Sequence, residues 1–479
     1  MGNEKLRQAQ DAVRAGRYGE AMLIFVQCAD QGIIQAFAEI GALYRSGEGV
    51  TQDYDEARRW YQKGIDAGDA RSMCFFGSLY RDGHGVPQDY GNALSWYRKA
   101  ADKGDCRAMT NIAGLYQSGH GVSQDYAEAM RWYEKGAALG DSAAMDDIAG
   151  LYENGLGVSQ DLTKAMQWYR RACQEGDGSA AGSARNNVGR FYHNGLGVKQ
   201  DYAEAMRWFR DAAGHGDAWA HNNIGIMFEY GQGVPKDISE AIRWYRLAAD
   251  KALGGGMYNV GRFYRDGFGV RQSYDEALRW FTLAAEKDYA LAMNAIGALY
   301  HDGNGVPKDF RQAMSWYRRA ADKGEECAMS NIGDLYRDGE GVSQNYDEAM
   351  RWFRLAADKG NAGAMNRIAE MFFNGRGMQK DYKESMTWFR RASDLEDDWA
   401  PYNIGVLYMH GAGVPHNFNE ALRWFRLAAD RKNALAMYQI ACMYAKGEGV
   451  AKSDSESKRW MRMAADHGNK EAAEALRKL

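Results

Sequence analysis

The sequence predicts an all-α solenoid of about twelve helix-turn-helix repeats, and three observations lead to this fold class. A Gly-x-Gly motif occurs twelve times, a tryptophan lies thirteen residues after the first glycine of each motif, and successive motifs are 36 residues apart. The exception is the step from Gly155 to Gly195, which is 40 residues. Such a period is typical of stacked repeats that bury their apolar faces against their neighbours. The tryptophans are Trp60, Trp96, Trp132, Trp168, Trp208, Trp244, Trp280, Trp316, Trp352, Trp388, Trp424 and Trp460.

The repeat from Cys106 to Asp141 shows how the first helix of each unit is expected to form. Residues 108–118 place apolar side chains at helical spacing, which predicts an amphipathic helix. Gly119 should end it, because glycine tolerates the left-handed backbone of a helix C-terminus. The Ala113 position is Gly or Ala in every repeat. A small residue there should let the two helices of the repeat approach closely.

The second helix of the repeat is expected to begin after Asp125. Every repeat has Asp, Asn or Ser at this position, and Glu follows three residues later in most repeats, as at Glu128. This pattern predicts an N-cap with a reciprocal capping box. We expect the helix to bury its aromatic residues, including Trp132, so the Trp132→Ala substitution should cost about 3–5 kcal/mol.

The repeat consensus, A-x-x-x-x-G-x-L-Y-x-x-G-x-G-V-x-x-D-x-x-x-A-x-x-W-Y-x-x-A-A-x-x-G, resembles the Sel-1-like repeat family. Its period is longer than the 34 residues of tetratricopeptide repeats, to which it is related. The resemblance covers Gln35 to Asn469. It implies right-handed α/α superhelices that act as adaptors in the assembly of protein complexes, often in bacteria, and that are not normally catalytic.

The repeats also define the expected domain organisation. Residues 1–34 are predicted to be a tetratricopeptide-like capping helix pair, residues 35–469 the twelve repeats, and residues 470–479 a C-terminal capping helix. Residues 178–182, Gly-Ser-Ala-Ala-Gly, supply the four extra residues of the long step. We expect them to lengthen a turn rather than form a hinge. Three glycines at 254–256 predict a helix start that is either frayed or closely approached by a neighbour.

The composition bears on several function classes. A net charge of −4 and a pI near 6.2 give no basic footprint, so we expect no nucleic-acid partner. No run of 18 apolar residues is present, so we expect no membrane insertion. Six irregularly spaced cysteines and a start without a signal peptide favour the cytoplasm, although an exported protein given without its leader would look the same.

The positions that vary from repeat to repeat lie on one stripe of the first helix, which is expected to line the concave side. Asparagine, arginine and histidine on this stripe suit the backbone and carboxylates of an extended peptide. Equally, the asparagines could bond the backbone of the neighbouring helix and the arginines could pair with local acids. The candidate partner-binding residues are Asn187, Arg190, His193, Asn223, Asn259, Arg262, Arg265, His301, Asn331 and Arg337.

Two tryptophans, Trp219 and Trp399, lie outside the repeat position, at the starts of first helices. They are either interface hot spots or inter-repeat packing, and we favour packing.

These observations favour a non-enzymatic scaffold that binds a protein or peptide. No catalytic constellation, metal site or cofactor motif is recognised: the Gly-x-Gly loops lack the third glycine and the preceding strand of a dinucleotide site. One alternative is a cell-wall or β-lactam hydrolase, an activity that the resemblance brings from some cysteine-rich relatives. The other alternative is a structural spacer. The partner and the oligomeric state are left open.

Overall fold

The computed structural model describes residues 2–176 and 178–477, and these residues form 27 α-helices with no strand among them. The chain divides into two compact units, Met1–Ala248 and Ala249–Leu479. The first unit contains α1 (Gly2–Arg14), α2 (Tyr18–Asp30), α3 (Gln35–Ser46), α4 (Tyr54–Asp66), α5 (Ala70–Asp82), α6 (Tyr90–Asp102), α7 (Cys106–Ser118), α8 (Tyr126–Ala138), α9 (Ser142–Asn154), α10 (Leu162–Glu175), α11 (Gly178–Asn194), α12 (Tyr202–Gly214), α13 (Ala218–Tyr230) and most of α14 (Ile238–Asp250).

The second unit continues the same alternation of helices. It contains α15 (Gly254–Asp266), α16 (Tyr274–Glu286), α17 (Ala290–Asp302), α18 (Phe310–Asp322), α19 (Glu326–Asp338), α20 (Tyr346–Asp358), α21 (Ala362–Asn374), α22 (Tyr382–Asp394), α23 (Ala400–His410), α24 (Phe418–Asp430), α25 (Ala434–Lys446), α26 (Asp454–Asp466) and α27 (Lys470–Arg477). No helix in the described ranges is both long and apolar enough to span a membrane.

Within each unit the helices pack in chain order, as an α-solenoid requires. The two helices of a repeat pair with each other, as α5 does with α6, and the second helix then packs on the first helix of the next repeat, as α6 does on α7. The first helices of successive repeats also touch, for example α3 with α5 and α9 with α11. This confirms the all-α solenoid.

The helices α1 and α2 precede the first repeat, and α27 follows the last. Their role as caps stays a prediction, and the last two residues of the expected C-terminal capping helix, 478 and 479, lie outside the described residues.

In eleven of the twelve repeats, the core is an aromatic ring packed against the small residue of the first helix. In repeat nine, a Cβ added to Gly333 would lie 2.5 Å from the Phe353 ring, so glycine is needed for this approach. Phe353 is fully buried, and the preceding Trp352 is partly buried and packs against the same core. The expectation that the second helix buries both aromatics is therefore confirmed, fully for Phe353 and in part for Trp352. The residue after each tryptophan fills the core, and it is Tyr or Phe in eleven repeats and Met461 in the last.

The N-cap of the second helix is confirmed, but the reciprocal capping box was wrong. Asp125 accepts a hydrogen bond from the Glu128 backbone N–H at 2.9 Å, and side chains at this position cap the second helix in every repeat. The Asp125 N–H instead donates to the Tyr116 carbonyl of the first helix at 2.9 Å. Glu128 therefore has no cap donor to bond, and accepts from Arg131 and from the Trp132 indole N–H.

Two glycine-rich segments are helical. The helix α11 begins at Gly178 and has 17 residues, where most other first helices have 13, so the extra four residues lengthen the helix and not the turn. Four residues add about one helical turn, which nearly preserves the face that later residues present. Likewise α15 begins at Gly254 without fraying, and Tyr289 lies 3.0 Å from the position of an added Cβ. Close approach by a neighbour therefore explains that glycine.

Candidate protein-binding face

The candidate face is the stripe of the first helices at positions −3, −2, +1, +4 and +5 from the small residue, and we call it the first-helix face. In the first unit it includes Asn187, Arg190, His193 and Asn223. In the second unit it includes Asn259, Arg262, Arg265, His301, Asn331 and Arg337. The two sets are described separately because they belong to different units.

The asparagines at −2 form side-chain bonds between consecutive repeats. In the first unit, the Asn187 amide donates to Asp146 at 3.1 Å and the Asn223 amide donates to Asn186 at 2.9 Å. In the second unit, Asn331 donates to Asn294 at 3.0 Å. Asn403 does the same with Asn366 at 3.1 Å, and Asn259 also has an interaction partner.

The partner of each bond is therefore a side chain at −3 of the preceding repeat, and not helix backbone as one interpretation expected. Each amide nitrogen has a second hydrogen, and each amide oxygen has two acceptor sites. Joining two repeats therefore does not exhaust the hydrogen-bonding capacity of these asparagines.

The arginines of the face pair with carboxylates. Arg190 bonds Glu153 of the preceding repeat at 2.7 Å. Arg265 pairs with Asp266 at 2.7 Å. Arg337 pairs with Asp338 at 2.6 Å and with Asp334 at 2.7 Å. The second interpretation expected pairs with local acids, and Asp266 and Asp338 are the acids it expected. Arg262 lies 5.1 Å from the centre of the Phe263 ring and has a further interaction.

The two histidines occupy the same repeat position but have different partners. His193 lies between the amide oxygens of Asn194, at 2.6 Å, and Gln232, at 2.7 Å. His301 lies between the carboxylates of Asp302, at 2.7 Å, and Glu340, at 3.0 Å. In both cases the imidazole connects its own helix to the glycine loop of the next repeat.

Two adjacent carboxyls of α9 form an acidic site that sequence reasoning missed. Burial raises the pKa of Asp146 to about 6, with Asn187 and Arg190 opposing the rise. Burial raises the pKa of Asp147 to about 7, and the charge on Asp146 adds to the rise. The available signal was the Asp-Asp pair at −3 and −2, where repeats five and six have Asn-Asn.

A pair of adjoining clefts lies on the first-helix face of repeats one to four, and we call the pair the trough. It consists of two clefts of about 530 and 670 Å³ that share Arg81, Thr110 and Asn111. Cleft one also includes Arg45, Phe75 and Arg107, and cleft two also includes Gly114, Tyr133 and Asp147. None of the ten predicted residues lines it. A further small cleft of about 180 Å³ brings Arg190, His193 and Asn223 together.

Trp219 and Trp399 are 51% and 52% exposed, so the preference for inter-repeat packing was wrong. Both lie where a first helix begins: Trp219 follows the first residue of α13, and Trp399 is the N-cap residue of α23. Large exposed aromatics are enriched at interface hot spots.

One group of potential metal ligands occurs in the described ranges: Glu325, Glu326 and Cys327, whose ligand atoms lie within 4.8 Å of one another. Glu325 caps α19 by accepting from the Ala328 N–H, which accounts for its place at this helix start.

Comparison with known proteins assigns the repeat. Twelve consecutive segments match the model of the Sel1 repeat, covering most of residues 37–469. The chain belongs to the Sel1 repeat family. The matched segments are residues 37–69, 70–105, 106–141, 142–177, 182–217, 220–253, 255–289, 290–325, 328–361, 362–397, 400–433 and 434–469. Sel1 repeat proteins are generally protein-interaction scaffolds without catalytic activity.

Solved structures with Sel1 repeats are similar to this chain. One is c5321, a protective antigen of uropathogenic Escherichia coli strains with an SLR fold, at 28% identity and a TM-score of 0.51 over 96% of this chain and 97% of that chain. Another is a Sel1 repeat protein from Oxalobacter formigenes, at 34% identity and a TM-score of 0.44 over 51% of this chain and 99% of that chain. No curated protein matches the chain.

Proposed function

We propose that this Sel1 repeat protein is a non-enzymatic scaffold that binds a protein or peptide along its first-helix face. The supporting observation is the contrast between the two helices of each repeat. In eight of the twelve second helices an exposed Arg pairs with the Glu three residues before it, beside the partly buried Trp, as for Glu128, Arg131 and Trp132. The first-helix face instead changes its polar groups from repeat to repeat.

Variation of this kind suits recognition, because each repeat can contact a different part of a partner while the core stays constant. Asn187 and Asn223 each use one amide hydrogen between repeats and keep a second, and arginines such as Arg190 are only partly exposed and held in place by carboxylates. Side chains that are already ordered lose little entropy when a partner binds. The ten predicted residues are part of this proposal.

The experiment uses two matched sets of arginine substitutions, assayed by affinity capture from the native host. Arg190, Arg262 and Arg265 are changed to Ala together on the first-helix face. Arg207, Arg243 and Arg279 are the controls on second helices, where their side chains are 77%, 68% and 76% exposed. We expect the first set to lose a captured protein that the second set keeps, with helical content unchanged in both. Equal capture by both sets would refute this assignment of the face.

A further inference from the structure

One mid-helix glycine lines the trough and a second lies beside it, and the fold explains neither. Gly114 and Gly150 occupy position +1 in repeats three and four, and a Cβ added to either would meet nothing within 4 Å. Glycine in a helix interior is unfavourable relative to alanine. By contrast, the glycines of the core position lie against aromatic rings. The other repeats have at position +1 Ala42, Ser78, Arg190, Ile226, Arg262, Ala298, Asp334, Glu370, Val406 and Cys442.

At these two glycines the helix surface has no side chain, and we call this bare surface, which lies next to the polar groups of the second cleft, the floor. Gly114 lines the second cleft, and Gly150 lies about one turn along α9 from Asp147, which lines the same cleft. A chain that crosses this floor can bring its backbone closer to the helices than any side chain would allow. The amide of Asn111 and the hydroxyls of Thr110 and Tyr133 lie around it; the two hydroxyls donate to Asp141 and Gln117 and are therefore left as acceptors.

In the first cleft the acidic side chains have bonded partners, whereas two of the arginines form no ion pair within the described part of the chain. Its acids are engaged: Asp141 accepts from the Thr110 hydroxyl at 2.5 Å, and Glu175 pairs with Arg171 at 2.6 Å. Arg45 and Arg107 have no ion pair with any carboxylate in the described ranges. Arg45 lies 5.4 Å from the centre of the Phe75 ring, which helps hold its guanidinium in the cleft.

We propose that the trough binds an extended acidic peptide, with its backbone over Gly114 and Gly150 and its carboxylates at Arg45 and Arg107. This inference rests on the proposed function and adds the class of ligand and the repeats that hold it. Bidentate pairing with guanidinium groups is the strongest contact available to a carboxylate in a protein. Each cleft has the volume of a small-molecule site, and two adjoining clefts suit a chain better than a compact ligand.

The experiment selects ligands from a displayed library of random dodecapeptides on the full chain, and then measures the affinity of the enriched peptides by fluorescence anisotropy. We expect enrichment in Asp and Glu, and binding at least tenfold weaker in the Arg45→Ala, Arg107→Ala double variant. Arg131→Ala, Arg207→Ala is the matched double control on second helices, and it should bind as the parent does.

Substitution of the two glycines distinguishes a role in peptide binding from a role in the fold, because stability and binding should change in opposite directions. Gly114→Ala with Gly150→Ala should raise the thermal midpoint by about 1–2 °C, because alanine favours helix and no clash results. The same methyl groups should weaken peptide binding about tenfold or more by filling the floor. Gly214→Ala, at the end of α12, also adds a methyl with nothing within 4 Å, and should leave peptide binding unchanged.

The outcomes separate the trough from the wider proposal. One result is that the enriched peptides bind the trough variants as tightly as the parent and bind the Arg190, Arg262, Arg265 variant less well. That result would overturn the trough proposal and leave the first-helix face proposal intact. Enriched peptides without acidic residues would overturn the class of ligand. Peptides that bind every first-helix variant as tightly as the parent would overturn both proposals.

Discussion

The most informative prediction compares two neighbouring aromatic residues of α20. Phe353 is fully buried against Gly333, so Phe353→Ala removes a core side chain and leaves a cavity, at a cost of about 4 kcal/mol. Trp352 is partly buried and packs against the same core. If a tryptophan offers about 200 Å² for burial, about two-thirds of that area at about 25 cal/mol per Å² gives about 3 kcal/mol, and the open outer side leaves no closed cavity. We therefore expect Trp352→Ala to cost about 3 kcal/mol, less than Phe353→Ala.

The assay must report local stability, because repeat arrays do not always unfold in a single step. Native-state hydrogen exchange of α19 and α20 gives the free energy of opening of the affected repeat. Phe353→Leu serves as the control and should cost about 1 kcal/mol, since it keeps most of the buried volume. If Trp352→Ala destabilises the repeat as much as Phe353→Ala, the assignment of the core to the second aromatic is incorrect.

Three further predictions concern the first unit. The raised pKa values of Asp146 and Asp147, about 6 and about 7, mean that folding favours their protonated forms. Their contribution to stability should therefore be greatest below about pH 4 and fall until about pH 7. For Asp147 the loss of stability is at most about 4 kcal/mol, because its pKa is higher by about 3 and each pKa unit corresponds to about 1.36 kcal/mol. As the pH rises from about 4 to about 7, the thermal midpoint of Asp147→Asn should increasingly exceed that of the parent. Asp125→Ala should cost about 1 kcal/mol in urea denaturation because it removes the N-cap, whereas Asp125→Asn should be nearly neutral. Glu128→Gln should cost no more than about 0.5 kcal/mol in the same assay, since the reciprocal cap bond is not formed; a loss comparable to that of Asp125→Ala would contradict the geometry.

The period and the loop glycines were enough to predict the repeats, the helix ends and the N-caps, because each depends on residues close together in the chain. The identity of the core aromatic depends on packing. Trp352 and Phe353 are adjacent in sequence and both lie near the apolar arc of α20, and only the position of Gly333 in the partner helix selects Phe353. The residues after Asp177 have the composition of a turn, but four residues fit a helix as one added turn, so tertiary stacking prevailed over local propensity.

The first-helix face was predictable as a set of varying positions, but its internal bonds were not. The Asn-Asn pairs of repeats five and six are visible in the sequence, yet their 37-residue bonding pattern requires the register of neighbouring helices, as Asn223 and Asn186 show. Burial of Asp147 and the empty space above Gly114 also depend on how α7 and α9 lie together. Such features arise from contacts between repeats, which one sequence does not specify residue by residue.

The most direct measurement of partner binding is photo-crosslinking in the native host, with a benzophenone amino acid placed at one position at a time. Ala42 and Ala298 are positions on the first-helix face, and Arg131 and Arg279 are exposed positions on second helices. Binding along the first-helix face predicts protein adducts from the first two positions and none from the other two. Adducts from Arg131 and Arg279 alone would contradict it.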